Sequence, residues 1–127
     1  MGPEVKESDI QIAIVDYLKL IQARYGLMVF GVQNEAYAAG RGKRALSGAE
    51  YGKIKKMQRM GLTAGVSDLV IVHAGKAYFV EVKMPTGRLS ENQKAFRQAA
   101  FTAGAEYIVA RSVDDIVTAL KTWGIIE

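Results

Sequence analysis

Two acids and a lysine stand out in the stretch "GVSDLVIVHAGKAYFVEVK", residues 65 to 83. Asp68 and Glu81 interrupt apolar runs that read as sheet, and Lys83 follows Glu81 after a single valine. A turn centred on Ala74-Gly75 sets residues opposite one another so that Val72 faces Ala77, Val70 faces Phe79 and Asp68 faces Glu81. Side chains alternate along a strand, which puts Lys83 on the face that carries Glu81. Cross-strand neighbours hold their Cβ atoms about 4.5–5.5 Å apart, and like charges placed there destabilise a hairpin unless something compensates. A divalent cation compensates, since Mg2+ takes one or two carboxylates together with water and phosphate oxygens. The plainer alternative is that both acids emerge into solvent at strand ends and Lys83 simply pairs with Glu81.

Other chemistries lack parts. The chain has no cysteine, which excludes disulfides, thiolate nucleophiles and Cys-ligated zinc and fits a reducing compartment. Its single histidine, His73, falls at or beside the hairpin turn and is expected to be an exposed turn residue, so Ser/His and zinc schemes find no support. "GRGKRALSG" has glycines but neither the Walker spacing nor a Ser or Thr after Gly-Lys. Phosphodiester hydrolysis makes lighter demands: an activated water, neutralised phosphate charge and in-line geometry, with no side-chain nucleophile.

The elements that must position these groups can be read from periodicity. Residues 7 to 25 place Ile10, Ile14, Tyr17, Leu18, Ile21 and Tyr25 at helical spacing. "LMVFGVQ", 27 to 33, reads as a strand, and 34 to 64 as a long loop ending in a short basic helix. Strands are expected at 66–73 and 76–83, both nearly continuous in apolar residues, as suits central strands covered on both faces. Ser90 and Gln93 have capping-box spacing ahead of a helix from Glu91 to Gly104; "YIVA", 107 to 110, is a further strand, and Ser112 and Asp115 open a last helix that runs to about Gly124. The expected class is α/β, a mixed β-sheet flanked by helices in the order α-β-(basic insert)-β-β-α-β-α. The 127 residues are expected to form one domain with one site.

The net charge of +4 is unevenly spread. Arg41, Lys43, Arg44, Lys53, Lys55, Lys56 and Arg59 stand against Glu50 alone, so residues 41 to 59 carry +6 and the rest −2. Such a cluster is either a footprint for a polyanion such as nucleic acid or a solvated face. Tyr37 and Tyr51 flank it, for stacking on bases or for ordinary packing. No segment approaches the roughly 20 apolar residues of a membrane span, and the N-terminus has no apolar leader core, so a cytoplasmic protein, of a bacterial or phage-infected cell, is expected.

Asp68, then Glu81 and Lys83 as Glu-x-Lys, resembles the signature of the PD-(D/E)XK nuclease superfamily. The wider set "KESDIQ", "GVSDLVIV", "YFVEVKMPTGRLSENQ" and "GAEYIVARSVDDI", in that order, resembles the virus-type replication-repair nuclease family, VRR-NUC, over almost the whole chain. The resemblance implies a restriction-endonuclease-like core and a DNA endonuclease dependent on Mg2+ or Mn2+. Carried over by position, it implies that Asp68, Glu81 and the Val82 carbonyl bind the metal, and that Lys83 positions or activates the attacking water. Glu7, at the start of the first helix, matches a family glutamate that contributes to the site; its alternative is a first-turn acid favoured by the helix dipole. Gln93 matches a site position too, with helix capping as its alternative. One departure is Ser67, where the family usually has proline before the metal aspartate.

Three functions remain open on these grounds: a metal-dependent endonuclease, a DNA-binding module with a spent site, and a protein whose basic loop binds acidic partners. Within the first, stand-alone members of the family it resembles are thought to act as dimeric resolvases of four-way (Holliday) junctions, and fused ones as flap or repair nucleases. With one site and no separate DNA-binding domain, a homodimer is expected, matching the two-fold symmetry of a junction. Trp123, Ile125 and Ile126 are candidates for its contact or for packing within the monomer.

Overall fold

The computed structural model describes residues 4–33 and 47–127. Helix α1 (Glu7–Tyr25) forms as its apolar stripe requires, with Ile14 and Leu18 fully buried. Asp9 accepts the Lys6 amide at 2.9 Å, and Gly26, left-handed at φ 63, sends its N–H to the Gln22 carbonyl and ends the helix. Strand β1 (Leu27–Gly31) follows directly. Beyond the undescribed residues, Ser47 caps α2 (Gly48–Arg59) by accepting the Glu50 amide at 3.2 Å. Strands β2 (Leu69–His73) and β3 (Lys76–Val82), helix α3 (Glu91–Thr102), strand β4 (Glu106–Ala110) and helix α4 (Val113–Thr122) complete the order.

The four strands line up as β1-β2-β3-β4, with β1–β2 and β2–β3 antiparallel and β3–β4 parallel across the α3 connection. The two apolar strands are therefore the central ones. The β2–β3 register pairs Val70 with Phe79 and Val72 with Ala77, as the turn residues predict. Ala74 at φ 48 and Gly75 at φ 79 supply the two left-handed residues that a tight two-residue hairpin needs.

One face of the sheet carries Leu27, Leu69, Ile71, Tyr78, Val80, Val82 and Ala110, and these pack with Ile14 and Leu18 of α1 and Ile116 and Leu120 of α4 as the main core. Helix α3 covers the other face over β3 and β4, where Phe96 meets Phe79 edge-on at 5.0 Å and Tyr107 at 6.2 Å. Side chains of the second face that lie beyond the aromatic cluster reach the end of the sheet where β3 finishes, and Glu81 is one of them.

Two expectations need correction. The strands are shorter than their apolar runs: β1 stops at Gly31, β2 starts at Leu69 and β3 ends at Val82. Between β2 and β3 a side chain takes over the ladder, Asp68 accepting the Val82 amide, while Val32 and Lys83 each keep one backbone bond past the strand ends, to the Asp68 and Ala110 carbonyls. His73 is the last residue of β2, paired with Lys76 and half-buried, not an exposed turn residue. Of the two roles open to the tail, packing within the monomer is the one observed: Ile125 is buried in the core, Ile126 packs against it, and the Trp123 ring lies 4.7 Å from that of Tyr78.

Candidate active site

Glu81, near the end of β3, is the pivot. It projects from the second face of the sheet and is only 3% exposed. Gln93 Nε2 donates to its Oε2 at 3.1 Å, and Lys83 Nζ lies 3.7 Å from the same oxygen. Its other oxygen, Oε1, is buried without a hydrogen-bond partner among the described residues. Burying a carboxylate costs heavily unless it is paired, so the group moves toward its neutral form. Burial first, and then the charge of Asp68, push the Glu81 pKa from the usual 4.5 to about 8, against the opposite pull of Lys83.

Asp68 arrives from the other central strand. The hairpin register places it beside Glu81, one step beyond the last ladder pair, Leu69 with Val80. There its carboxylate replaces the ladder: Oδ2 accepts the Val82 amide at 2.8 Å, while its own carbonyl accepts the Val32 amide at 2.9 Å. Asp68 is thus fixed by the strands on both sides. Ser67, fully buried, donates its hydroxyl to the Leu69 carbonyl at 2.9 Å. That local bond stiffens the approach to Asp68 at the position where proline is expected.

Gln93 makes the capping contact and also touches Glu81. Its Oε1 accepts the Ser90 amide at 2.9 Å, completing the capping box, while its Nε2 holds Glu81. The first turn of α3 is in turn pressed against Gly65, which has φ +77 and no room for a side chain: a Cβ there would overlap the backbone of Asn92 and Gln93. Gly65→Ala combines left-handed strain with overpacking and should lower stability by about 2–4 kcal/mol, as urea unfolding would register. Glu7 is the first residue of α1 and is exposed, and its charge adds to the upward push on Glu81, so it stands within electrostatic reach of the pair. Glu7, Gln11, Ile14 and Leu18 descend one stripe, from exposed through half-buried to fully buried, from site to core.

Val82 has its side chain in the main core and its amide on Asp68, which places its backbone at the site. Lys53, Lys55, Lys56 and Arg59 all lie exposed on α2, away from the half-buried stripe of Glu50, Ile54 and Met57. Tyr51 is exposed on the same helix. Arg41, Lys43, Arg44 and Tyr37 lie outside the described residues.

Two site neighbours escape a reading of the sequence. The Tyr107 hydroxyl is buried without a described partner, and burial and the nearby Glu81 charge raise its pKa. Arg111, just past β4, bonds the turn that follows Lys83. Neither bears a pattern that points to a site, since each acts through segments distant in sequence.

The fit to a divalent cation can be judged from the donors. Among the described residues no cluster of three or more His, Cys, Asp or Glu forms a ready metal cage. Two adjacent carboxylates, one with a partnerless buried oxygen, and a backbone at the same place offer a partial shell of hard oxygens. That suits an ion that keeps water and phosphate oxygens for its remaining positions.

This is the arrangement of a PD-(D/E)XK nuclease: a mixed sheet with helices on both faces and an Asp, Glu-x-Lys set where its central strands end. The chain belongs to the VRR-NUC domain family, whose model matches residues 5–114. Its fold is similar to a solved "VRR_NUC domain protein", with 16% identity, TM-score 0.64 and coverage of 95% of this chain and 89% of that one. A second solved structure, a "VRR_NUC domain", is similar at 18% identity and TM-score 0.53, covering 86% of this chain and 91% of that one. Among curated proteins none matches significantly. The family makes this chain a nuclease of the PD-(D/E)XK type, with DNA as the implied substrate and divalent metals as the usual requirement of that type. No helix among the described residues is long and apolar enough to cross a membrane.

Proposed function

We propose that the chain is a single-domain, Mg2+- or Mn2+-dependent DNA endonuclease that acts as a homodimer and cuts four-way junctions. The observation that carries the metal-dependent reading is Glu81: a buried carboxylate, one oxygen without a partner, beside a second carboxylate. A protein that wanted only a salt bridge to Lys83 would have no use for Asp68 there.

In this reading Asp68, Glu81 and the Val82 carbonyl hold the cation. When bound, it supplies Lewis acidity toward the phosphate and lowers the pKa of water. Lys83 orients the attacking water and balances negative charge that grows on the phosphate in the transition state. Gln93 keeps Glu81 in one rotamer, and Glu7 adds negative charge at the rim. The basic residues of α2, with Arg41, Lys43 and Arg44 on sequence grounds alone, neutralise the DNA backbone.

Reversing charge at Lys53, Lys55, Lys56 and Arg59 should weaken DNA binding without changing metal affinity. Each DNA phosphate that is no longer neutralised should flatten the slope of log K against log salt by roughly 0.9. Titrations at four salt concentrations measure it; an unchanged slope would place the DNA elsewhere.

The junction and dimer parts rest on symmetry: one site and one basic helix per chain become two of each about a two-fold axis, which a four-way junction also has. The test is a panel of labelled four-way junction, flap, single-strand and linear duplex DNA with Mg2+ or Mn2+, alongside sedimentation at micromolar concentration. Paired nicks in the junction by a dimer support the proposal. A monomer that cuts junction and duplex equally would instead make the chain a flap or nicking repair nuclease.

A further inference from the structure

Lys83 is the last residue before a tight turn, Met84 to Gly87, closed by the Gly87 amide on the Met84 carbonyl at 2.9 Å. The carbonyls of this turn converge on one nitrogen. Arg111 Nη1 donates to Met84 O at 2.6 Å, to Gly87 O at 2.8 Å and to Pro85 O at 3.3 Å. Arg111 itself is pinned, since its amide donates to Asp115 Oδ2 at 2.8 Å and Asp115 belongs to the first turn of α4. The residue before it, Ala110, accepts the Lys83 amide at 3.1 Å. The far side of the turn lies against the lysine: a Cβ on Gly87 would sit 3.3 Å from Lys83 Cδ and 3.5 Å from its Cβ. Gly87 is therefore a wall for the Lys83 stem, and it stays a wall only while the turn keeps its shape.

We propose that Arg111 is a positioning residue for Lys83: by gathering the carbonyls of Met84, Pro85 and Gly87 it holds that wall in place and keeps the ammonium within reach of Glu81 and of a phosphate. The inference rests on the nuclease reading for its catalytic consequence, but not for its structural one. It also separates Arg111 from the DNA-binding cations. A guanidinium nitrogen whose two hydrogens are shared among three carbonyls of one turn is committed to the protein, and charge-assisted bonds of this kind are stronger than neutral ones. Without Arg111 the Lys83 side chain would regain rotamers, and the ammonium would spend most of its time away from the geometry the reaction needs. Small displacements of a positioned group are enough to cost about 100-fold in rate.

The test is a double-mutant cycle with single-turnover cleavage and DNA affinity as separate readouts. Arg111→Gln should slow cleavage by about 10- to 100-fold with DNA affinity and its salt slope unchanged, and in a Lys83→Ala background it should cost less than about 2-fold more. Gly87→Ala, which keeps Arg111 and whose Cβ would crowd both the lysine stem and the Met84 carbonyl at 3.3 Å, should show the same dependence on Lys83 and covers the case in which Arg111→Gln does not fold. Independent losses in the double variants, or a flatter salt slope for Arg111→Gln, would overturn the proposal, the latter by making Arg111 a phosphate contact. Lysine-labelled NMR supplies a readout apart from activity: the Lys83 side-chain signals should shift in Arg111→Gln or Gly87→Ala while the other lysines stay put. If the wild type does not cut DNA at all, the nuclease reading fails, and these signals alone decide the positioning claim; unmoved Lys83 signals would overturn it.

Discussion

Glu81→Gln, Asp68→Asn and Lys83→Ala each cut cleavage by about 100- to 1,000-fold, while the protein remains folded without metal. The size follows from what each group does to charge in the transition state, since removing a single preorganised electrostatic interaction commonly costs about 100- to 1,000-fold. The unchanged fold follows from the geometry. Glu81→Gln keeps an acceptor for Gln93 Nε2 and replaces a carboxyl that must hold a proton to sit beside Asp68 with a neutral amide. Asp68→Asn keeps a side-chain carbonyl for the Val82 amide. Lys83→Ala removes a 3.7 Å ion pair whose distance exceeds that of a good charge-assisted bond. Far-UV circular dichroism and urea unfolding, run beside the cleavage assay, separate the two effects. Collapse of all three variants would mean that the cluster is a structural salt bridge and nothing more.

The pairing of Asp68 with Glu81 was legible in the sequence because a two-residue turn fixes register, and register fixes which side chains meet. The stripe from Glu7 to Leu18 was legible for a similar reason, helical period. Boundaries were not. An apolar run does not say where ladder bonds stop, and here they stop where Asp68 gives its carboxylate to the Val82 amide. Gly65 and Arg111 were invisible on different grounds: one admits a helix backbone against its own, and the other donates to carbonyls 24 to 27 residues earlier. A bond of that kind depends on backbone atoms, which carry no signature of residue type. The tail shows the converse problem, since exposed and buried apolar residues look alike until the core around Ile125 is assembled.

The second large effect is on stability, and it requires no substrate. In the unfolded chain Glu81 titrates near 4.5, and in the metal-free fold near 8. A folded pKa raised above the unfolded one means that the folded state holds the extra proton between these values. Its stability relative to that proton is therefore full below about pH 4.5, falls as pH rises, and levels off above about pH 8. At about 1.4 kcal/mol for each pH unit that separates the two values, the loss is at most on the order of 5 kcal/mol. Other carboxylates titrate at the acid end, so the quantity to measure is the difference between Glu81→Gln and the wild type, in which they cancel. That difference should be small at pH 5, about 1 kcal/mol or less, and should grow toward on the order of 5 kcal/mol in favour of Glu81→Gln by pH 8.5. Millimolar Mg2+ or Mn2+ should then narrow the gap at pH 8.5, because an ion that binds the ionised pair stabilises the fold by about 2.7 kcal/mol at 100 times its dissociation constant. The same addition should do little at pH 5, where the proton competes for Glu81, and little to the variant at either pH. A wild type whose stability relative to Glu81→Gln is flat from pH 5 to 8.5 would show that Glu81 ionises freely, and a gap that metal leaves unchanged would show that the two acids are not a cation site.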